Sequence, residues 1–171
     1  WTNYFSLRDK MDDLAAENAL LKEKLINAGL TPVPERDSLG ELNAQYKLIT
    51  AEVTNNSTDR PNNYIYFNKG RRDGIQKDMG VIGDNGVIGI IVKVKENYSK
   101  AISLLHKRNF ISAMIKRTGA FGPIKWIGSN PRYVNLADIP KHNTVIVGDT
   151  IVTSGYSTHF PKGALIGVVE E

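Results

Sequence analysis

Cysteine is absent from the 171 residues of this chain. Its absence excludes disulfide bonds, thiolate metal sites and a cysteine nucleophile. A chain of this length can bury enough apolar surface to fold without covalent cross-links, so the absence does not identify a cellular compartment.

Long hydrophobic runs are also absent, since no stretch approaches the roughly 18 apolar residues needed to cross a bilayer. The composition is that of a globular protein, with 41% hydrophobic and 23% charged residues, enough for one domain or two small ones. The net charge of +4 is spread in small groups along the chain. Dispersed positive charge indicates solvated strand faces rather than a nucleic-acid footprint, although it favours an anionic surface such as a membrane.

Metal-binding and phosphate-binding motifs are lacking as well. The three histidines, His106, His142 and His159, are isolated and form no HxH or HExxH spacing. No GxxxxGK[ST] or GxGxxG loop is present to hold a phosphate. The sequence therefore predicts no metal site and no cofactor.

A serine protease of the two-barrel type is the enzyme alternative that the sequence leaves to test. It would require His106, Asp138 and Ser154 in that order. However, His106 precedes two basic residues typical of a solvated turn, and Ser154 lacks the preceding Gly-Asp that shapes an oxyanion hole. We therefore assign no catalytic residues and predict that the chain is not an enzyme.

The first 30 residues have the pattern of a coiled-coil helix. Apolar residues and one asparagine recur at alternating spacings of four and three: Leu7, Met11, Leu14, Asn18, Leu21, Leu25 and Ala28. This period of 3.5 residues predicts a heptad seam, and a buried Asn18 would pair with its symmetry mate in a parallel dimer. We expect Leu7, Met11, Leu14, Asn18, Leu21 and Leu25 to mediate dimerisation. The alternative, a helix folded back on its own domain, stays open.

The pattern changes twice after the helix. Gly29 stands where a C-cap is expected, and residues 31–44 have the proline, glycine and charge of a linker. From residue 45 onward, short segments of β-branched and aromatic residues alternate with turn residues, which predicts an all-β barrel or sandwich. Asp84-Asn85-Gly86 predicts a hairpin with positive φ at Asn85 and Gly86, and glycines within strands indicate close backbone approach.

A nucleic-acid-binding module is the second alternative. Tyr64, Tyr66 and Phe67 precede Lys69, Arg71 and Arg72, and exposed aromatics beside basic residues can stack bases. Tyr64 and Tyr66 share one face of their strand, whereas Ile65 and Phe67 share the other. One of these faces must therefore be core.

An ordered series of motifs resembles the MreC family of rod shape-determining proteins over nearly the whole chain. The motifs are NYIYFNKG at 63–70, DGI at 73–75, MGVI at 79–82, GVIG at 86–89, NYS at 97–99, GDTIVTSG at 148–155, FPKG at 160–163 and IG at 166–167. Because these residues are mostly glycine, apolar or turn-forming, we expect them to specify the fold.

The resemblance implies a mainly β fold, with an N-terminal coiled-coil helix followed by two small β-barrels of the six-stranded type. The expected division is a dimerisation helix at 1–30, a linker at 31–44, a first barrel at 45–105 and a second at 106–171. The path of the last strand, within the second barrel or back to the first, is left open.

The resemblance also implies a function and a location. The chain would be the periplasmic domain of a single-pass inner-membrane protein whose membrane helix precedes Trp1. It would act as a scaffold of the cell-elongation complex that builds the lateral wall. Implied partners are a second copy, with assembly into filaments, together with MreD, MreB, RodA and a class B penicillin-binding transpeptidase, but no nucleic acid. Our hypothesis for the partner contact is the first barrel near Tyr64, Tyr66 and Arg71.

Overall fold

The computed structural model describes residues 2–28, 46–128, 130–140 and 143–170. The predicted linker at 31–44, the C-cap at Gly29 and His142 lie outside these residues. The chain divides into two compact units, Trp1–Thr50 and Ala51–Glu171.

The first unit is built on helix α1, Thr2–Asn27, which confirms the predicted N-terminal helix. A short extended segment is bonded to the last turns of this helix. The Asn27 side chain exchanges two hydrogen bonds with the Tyr46 backbone, and Glu23 Oε2 accepts a bond of 3.1 Å from the Leu48 amide. These contacts hold the segment at residues 46–48 beside the C-terminal end of α1.

The second unit begins with a five-stranded antiparallel sheet. Its strands are β1 Val53–Asn56, β2 Asn62–Phe67, β3 Gly80–Gly83, β4 Gly86–Val94 and β5 Ser99–His106, in the order β1-β2-β5-β4-β3. A single 3-10 turn at Arg71–Asp73 lies between β2 and β3. Gly74 ends this turn with a φ of 89°, a left-handed conformation that glycine adopts without strain.

A second five-stranded antiparallel sheet follows. Its strands are β6 Ile111–Ile115, β7 Phe121–Lys125, β8 Asn135–Leu136, β9 Thr150–Thr153 and β10 Leu165–Val168, in the order β10-β9-β6-β7-β8. The last strand, β10, pairs with β9 and so belongs to this second sheet.

The mainly β class and the presence of two small β structures are confirmed, and each of the two sheets is a curled half-barrel. Each sheet contains five strands rather than the six expected. The first sheet joins a strand pair, β1-β2, to a later three-strand meander, β3-β4-β5, whereas the second has the meander first and the pair β9-β10 last. The two sheets are therefore not simple tandem copies.

Alternation along the strands decides which side chains form the cores. In β2, Ile65 and Phe67 are buried while Tyr64 and Tyr66 are partly exposed on the opposite face. In the second sheet, Ala113, Ile115, Ala120, Ile124 and Ile151 form a buried cluster. The tyrosine face of β2 is thereby the outer face, as required when the Ile-Phe face is core.

A third apolar cluster joins the two sheets. Phe160, 2% exposed, packs with Val87 and Ile90 of β4 and with Ile111 of β6. The His159 ring nitrogen Nδ1 donates to the Asp78 carbonyl oxygen at 2.7 Å, beside this cluster. A Cβ atom on Gly80 would meet the His159 carbonyl oxygen at 2.2 Å, so only glycine permits this approach. We call Val87, Ile90, Ile111 and Phe160 the sheet junction.

The hairpin between β3 and β4 forms where predicted, but its turn is shifted by one residue. Gly83 pairs with Gly86, so Asp84 and Asn85 are the two turn residues. Only Gly86 has a positive φ, 122°, and a Cβ there would meet the Leu165 carbonyl oxygen at 2.3 Å. The prediction of positive φ at Asn85 is therefore wrong, because the two turn residues are Asp84 and Asn85, and Gly86 is already the first residue of β4.

Candidate protein-binding surfaces

The heptad seam presents apolar side chains that are exposed to solvent. Leu14, Leu21 and Leu25 are 58%, 51% and 46% exposed, and Asn18 is also exposed. Leu7 and Met11 belong to the same helix, but their side chains lie outside the described residues. Exposed leucines at heptad spacing have the arrangement that a second helix would bury.

The outer face of the first sheet carries a cation between two aromatic rings. The ammonium of Lys100 lies 3.5 Å from the ring centroid of Tyr64 and 5.5 Å from that of Tyr66. The Tyr64 ring also contacts His106 edge-on, with 5.0 Å between centroids. The structure thus brings the predicted residues Tyr64 and Tyr66 together with Lys100, a residue that the sequence did not single out.

Arg71, the third residue of the partner hypothesis, is engaged elsewhere. Its Nη1 atom lies 3.1 Å from Glu96 Oε1, and Arg72 Nε lies 3.7 Å from the other oxygen of Glu96. Lys69 pairs with Asp73 at 3.1 Å, and the bonds from the Gly70 amide and Lys69 lower the pKa of that carboxyl. The basic residues of the nucleic-acid alternative are therefore paired with carboxylates, which weakens that alternative.

His106, Asp138 and Ser154 have separate partners. Ser154 is buried and its hydroxyl donates to Ser112 Oγ at 2.7 Å, while Asp138 pairs with Lys125 at 3.1 Å. His106 Nδ1 accepts a bond from the Arg108 amide at 3.1 Å. Among the residues that the structure describes, no hydrogen bond joins any two of the three, so the arrangement of the protease alternative is not formed.

His106 is a buried imidazole in a positively charged environment. It is 2% exposed, and its Nε2 atom is buried without a hydrogen-bond partner. Burial lowers its pKa below the ordinary value of 6.5, and the charges of Arg108 and Lys100 lower it further. Both effects favour the neutral form of the ring, which contacts Tyr64 of the outer face of the first sheet.

Sequence reasoning missed an aromatic surface on the second sheet. Phe121 and Tyr156 are 54% and 75% exposed, and their rings lie 5.0 Å apart. On the same face of the sheet as Phe121 are Met114 and Val152, which oppose each other across β6 and β9 and are 6% and 3% exposed. Met114 also opposes Phe121 across β6 and β7. We call these four residues the aromatic surface.

Of the two aromatic residues of this surface, only Phe121 could be placed from the sequence pattern. Alternation along β7 places Phe121 on the exposed face of the strand, whereas Ile124 lies on the buried face. Tyr156 lies beyond the end of β9, in a loop positioned by Gly155 and by the bond from its own amide to Ser154 Oγ at 3.3 Å. No periodic pattern joins a loop residue to a strand 35 positions away, which is the separation of 156 and 121.

A second exposed apolar segment precedes β9. Val145, Ile146 and Val147 are 42%, 48% and 71% exposed. The buried Asp149 carboxylate accepts two bonds from Arg117, of 2.7 and 2.8 Å, and one from the Ile146 amide at 3.1 Å. These bonds lower the pKa of Asp149 and hold the segment in one conformation.

The described residues hold neither a metal site nor a membrane-spanning helix. None of the groups of His, Asp and Glu in that part of the chain has the arrangement of a metal site. Within the same residues, no helix is long and apolar enough to span a membrane.

Comparison with known proteins identifies the family. Residues 53–171 match the family described as "Rod shape-determining protein MreC, barrel core". The cell shape-determining protein MreC of Listeria monocytogenes is 30% identical over 169 residues, which cover 96% of this chain and 53% of that protein. The chain thus spans about half the length of this relative.

Solved structures agree with the sequence relatives. A structure of MreC from Listeria monocytogenes has a TM-score of 0.67 and 27% identity, covering 99% of this chain and 77% of the other. A structure of the complex between Penicillin-Binding Protein (PBP2) and MreC from Helicobacter pylori has a TM-score of 0.52 and 24% identity, covering 63% and 67%. The extent of the sequence match, carried by the barrel core, shows that this chain belongs to the MreC family of rod shape-determining proteins.

Proposed function

We propose that this chain is the extracytoplasmic part of a non-enzymatic scaffold that maintains rod cell shape by binding a penicillin-binding transpeptidase. The observation that carries the proposal is the aromatic surface, where exposed Phe121 and Tyr156 lie in ring contact and Phe121 shares a sheet face with Met114 and Val152. Aromatic side chains are enriched at the centres of protein interfaces. The Helicobacter pylori relative is itself in complex with PBP2, which supports a partner of this class.

Self-association through the heptad seam is the second part of the proposal. Two helices that bury Leu14, Leu21 and Leu25 against each other would place two β regions side by side. Such pairing increases the apparent affinity for a partner that also presents two binding sites, because the second contact is intramolecular. Filaments and contacts with MreD, MreB and RodA, like the position outside an inner-membrane anchor, belong to the same proposal and rest on family resemblance.

Binding to the extracytoplasmic part of the transpeptidase from the same organism tests the proposal. We expect Phe121→Ala and Tyr156→Ala each to weaken binding by about tenfold or more, since interface aromatics often contribute 2 kcal/mol or more. Tyr133→Ala is the matched control, because Tyr133 is also half exposed, at 49%, and is outside the aromatic surface. Wild-type chain that fails to bind, or binding unchanged by both aromatic substitutions, would contradict the proposal.

A further inference from the structure

The outer face of the first sheet places two lysines directly opposite each other. In the pairing of β4 with β5, Lys93 is the partner of Lys100, and Tyr66 of β2 is the partner of Lys100 on its other side. The ladder shifts between Ile91 and Lys93, so Val92 is an extra residue. This irregularity puts Lys93 on the face of Lys100, while Ile91 and Ala101 stay buried on the inner face.

Like charges directly opposite on neighbouring strands repel each other. The carboxylates beside the β4–β5 turn do not relieve this repulsion, because Glu96 pairs with Arg71 and Arg72 and Asp73 pairs with Lys69. Within the described part of the chain, neither Lys93 nor Lys100 forms an ion pair. Lys100 is instead oriented by the rings of Tyr64 and Tyr66.

We propose that Tyr64, Tyr66, Lys93 and Lys100 form a docking surface for an acidic, partly apolar segment of a protein partner. We call these four residues the tyrosine–lysine surface. This inference rests on the proposed scaffold function and adds a second contact to the aromatic surface. It keeps Tyr64 and Tyr66 of the sequence hypothesis and substitutes Lys100 for Arg71, whose charge is already paired with Glu96.

The chemistry of the surface favours a carboxylate-bearing protein segment. Arginine is the side chain best suited to bind a phosphate, because its guanidinium group donates two parallel hydrogen bonds. Arg71 and Arg72, however, are already paired with Glu96. The free cations are ammonium groups, and Lys100 already lies on aromatic faces, where its charge is partly desolvated. Half-buried Ile102, the register partner of Tyr64, lies on the same face as Lys100 and offers apolar contact to a neighbouring side chain.

His106 provides an internal reporter of occupancy. Its ring contacts Tyr64, and the charges of Lys100 and Arg108 are among the causes of its lowered pKa. A bound carboxylate would offset the charge of Lys100. The pKa of His106 should therefore rise toward its ordinary value when the surface is filled.

The first test uses the full chain and a peptide of alternating glutamate and valine, followed by nuclear magnetic resonance. We expect the peptide to shift the signals of Tyr64, Tyr66, Lys93 and Lys100 and to raise the pKa of His106. Shifts elsewhere, or none at this surface, would overturn the inference. The inference would also be overturned if anionic lipid vesicles, but not the peptide, shifted these signals, because the surface would then bind lipid.

The second test uses the transpeptidase and separates this inference from the proposed function. Lys100→Met keeps the aliphatic stem on the tyrosine rings, and Lys93→Glu reverses an exposed charge. We expect each to weaken binding by about tenfold and to reduce its salt dependence. Lys77→Glu, a charge reversal at another exposed lysine, should change neither. If the wild-type chain does not bind the transpeptidase, only the proposed function is contradicted, because the peptide titration tests the surface separately. If the wild-type chain binds and neither the Lys93 nor the Lys100 substitution changes that binding, this inference is overturned.

Discussion

At the scale of single residues, the family motifs have mainly structural roles. Asp149, within the motif at 148–155, is buried under the bonds from Arg117, and Phe160, within the motif at 160–163, fills the sheet junction. Neither side chain is available to a partner. A partner must therefore contact other, more exposed residues, such as Phe121 and Tyr156.

Asp149→Asn should lower the melting temperature by several degrees at neutral pH, because it removes the charge that binds Arg117. The pKa of Asp149 is lowered in the folded state, so its contribution is complete above the ordinary value of 3.8 and is lost as the pH falls further. Thermal denaturation from pH 3 to 7 measures both effects, and the two curves should converge at low pH. Asp138→Asn, which breaks the more exposed pair with Lys125, is the control and should change little.

His106 makes the opposite prediction for mild acid. Its pKa is lowered in the folded state, so the unfolded chain takes up a proton more readily once the pH falls below about 6.5. Stability should therefore decrease from pH 7 to 5.5, and His106→Asn, whose side-chain oxygen can still accept from Arg108, should flatten this decrease. His159→Asn is the matched control. An equal slope in His106→Asn and the wild type would contradict the assignment.

At the scale of elements, helix α1 differs from the strands in leaving apolar side chains of its described residues exposed. Its described leucines, from Leu14 to Leu25, are about half exposed, whereas the apolar positions of β6 are almost fully buried. A single helix of this length gains little stability on its own, because helices in proteins are stabilised mostly by burying one face.

Two adjacent leucines allow a direct test of the helix. Leu21 belongs to the heptad seam and Leu20 does not, yet they are 51% and 50% exposed. Leu21→Glu should weaken dimerisation by at least about tenfold, since each helix loses a buried leucine worth 1.5–3 kcal/mol. Leu20→Glu should leave it unchanged. Sedimentation equilibrium measures both, and equal effects would favour a helix that does not pair through the seam.

At the scale of the whole molecule, the sheet junction makes one unit of the two sheets. It takes residues from β4, from β6 and from the loop that carries Phe160, far apart in the sequence. A partner that binds the aromatic surface on the second sheet and the tyrosine–lysine surface on the first would depend on this connection.

Phe160→Ala should mainly lower the stability of the β region, whereas Phe121→Ala should mainly weaken binding to the transpeptidase. Removing the buried Phe160 ring should destabilise the β region by about 3–5 kcal/mol, while removing the half-exposed Phe121 ring should cost less than about 1 kcal/mol. Chemical denaturation measures the loss. Phe121→Ala should instead weaken transpeptidase binding. A Phe121→Ala variant as unstable as Phe160→Ala would show that the aromatic surface is part of the core.

The sequence alone determined the N-terminal helix, the β class and which residues of β2 share a face, because the periods of 3.5 and 2 residues are local properties of the chain. It also located the hairpin at Asp84–Gly86 and the glycines of close approach. Only the tertiary structure decided the turn register at Gly86, the ion pairs of Arg71 and Arg72, the opposition of Lys93 and Lys100 and the pairing of Phe121 with Tyr156. Each of these depends on strand register or on contacts between distant segments, which no short pattern encodes.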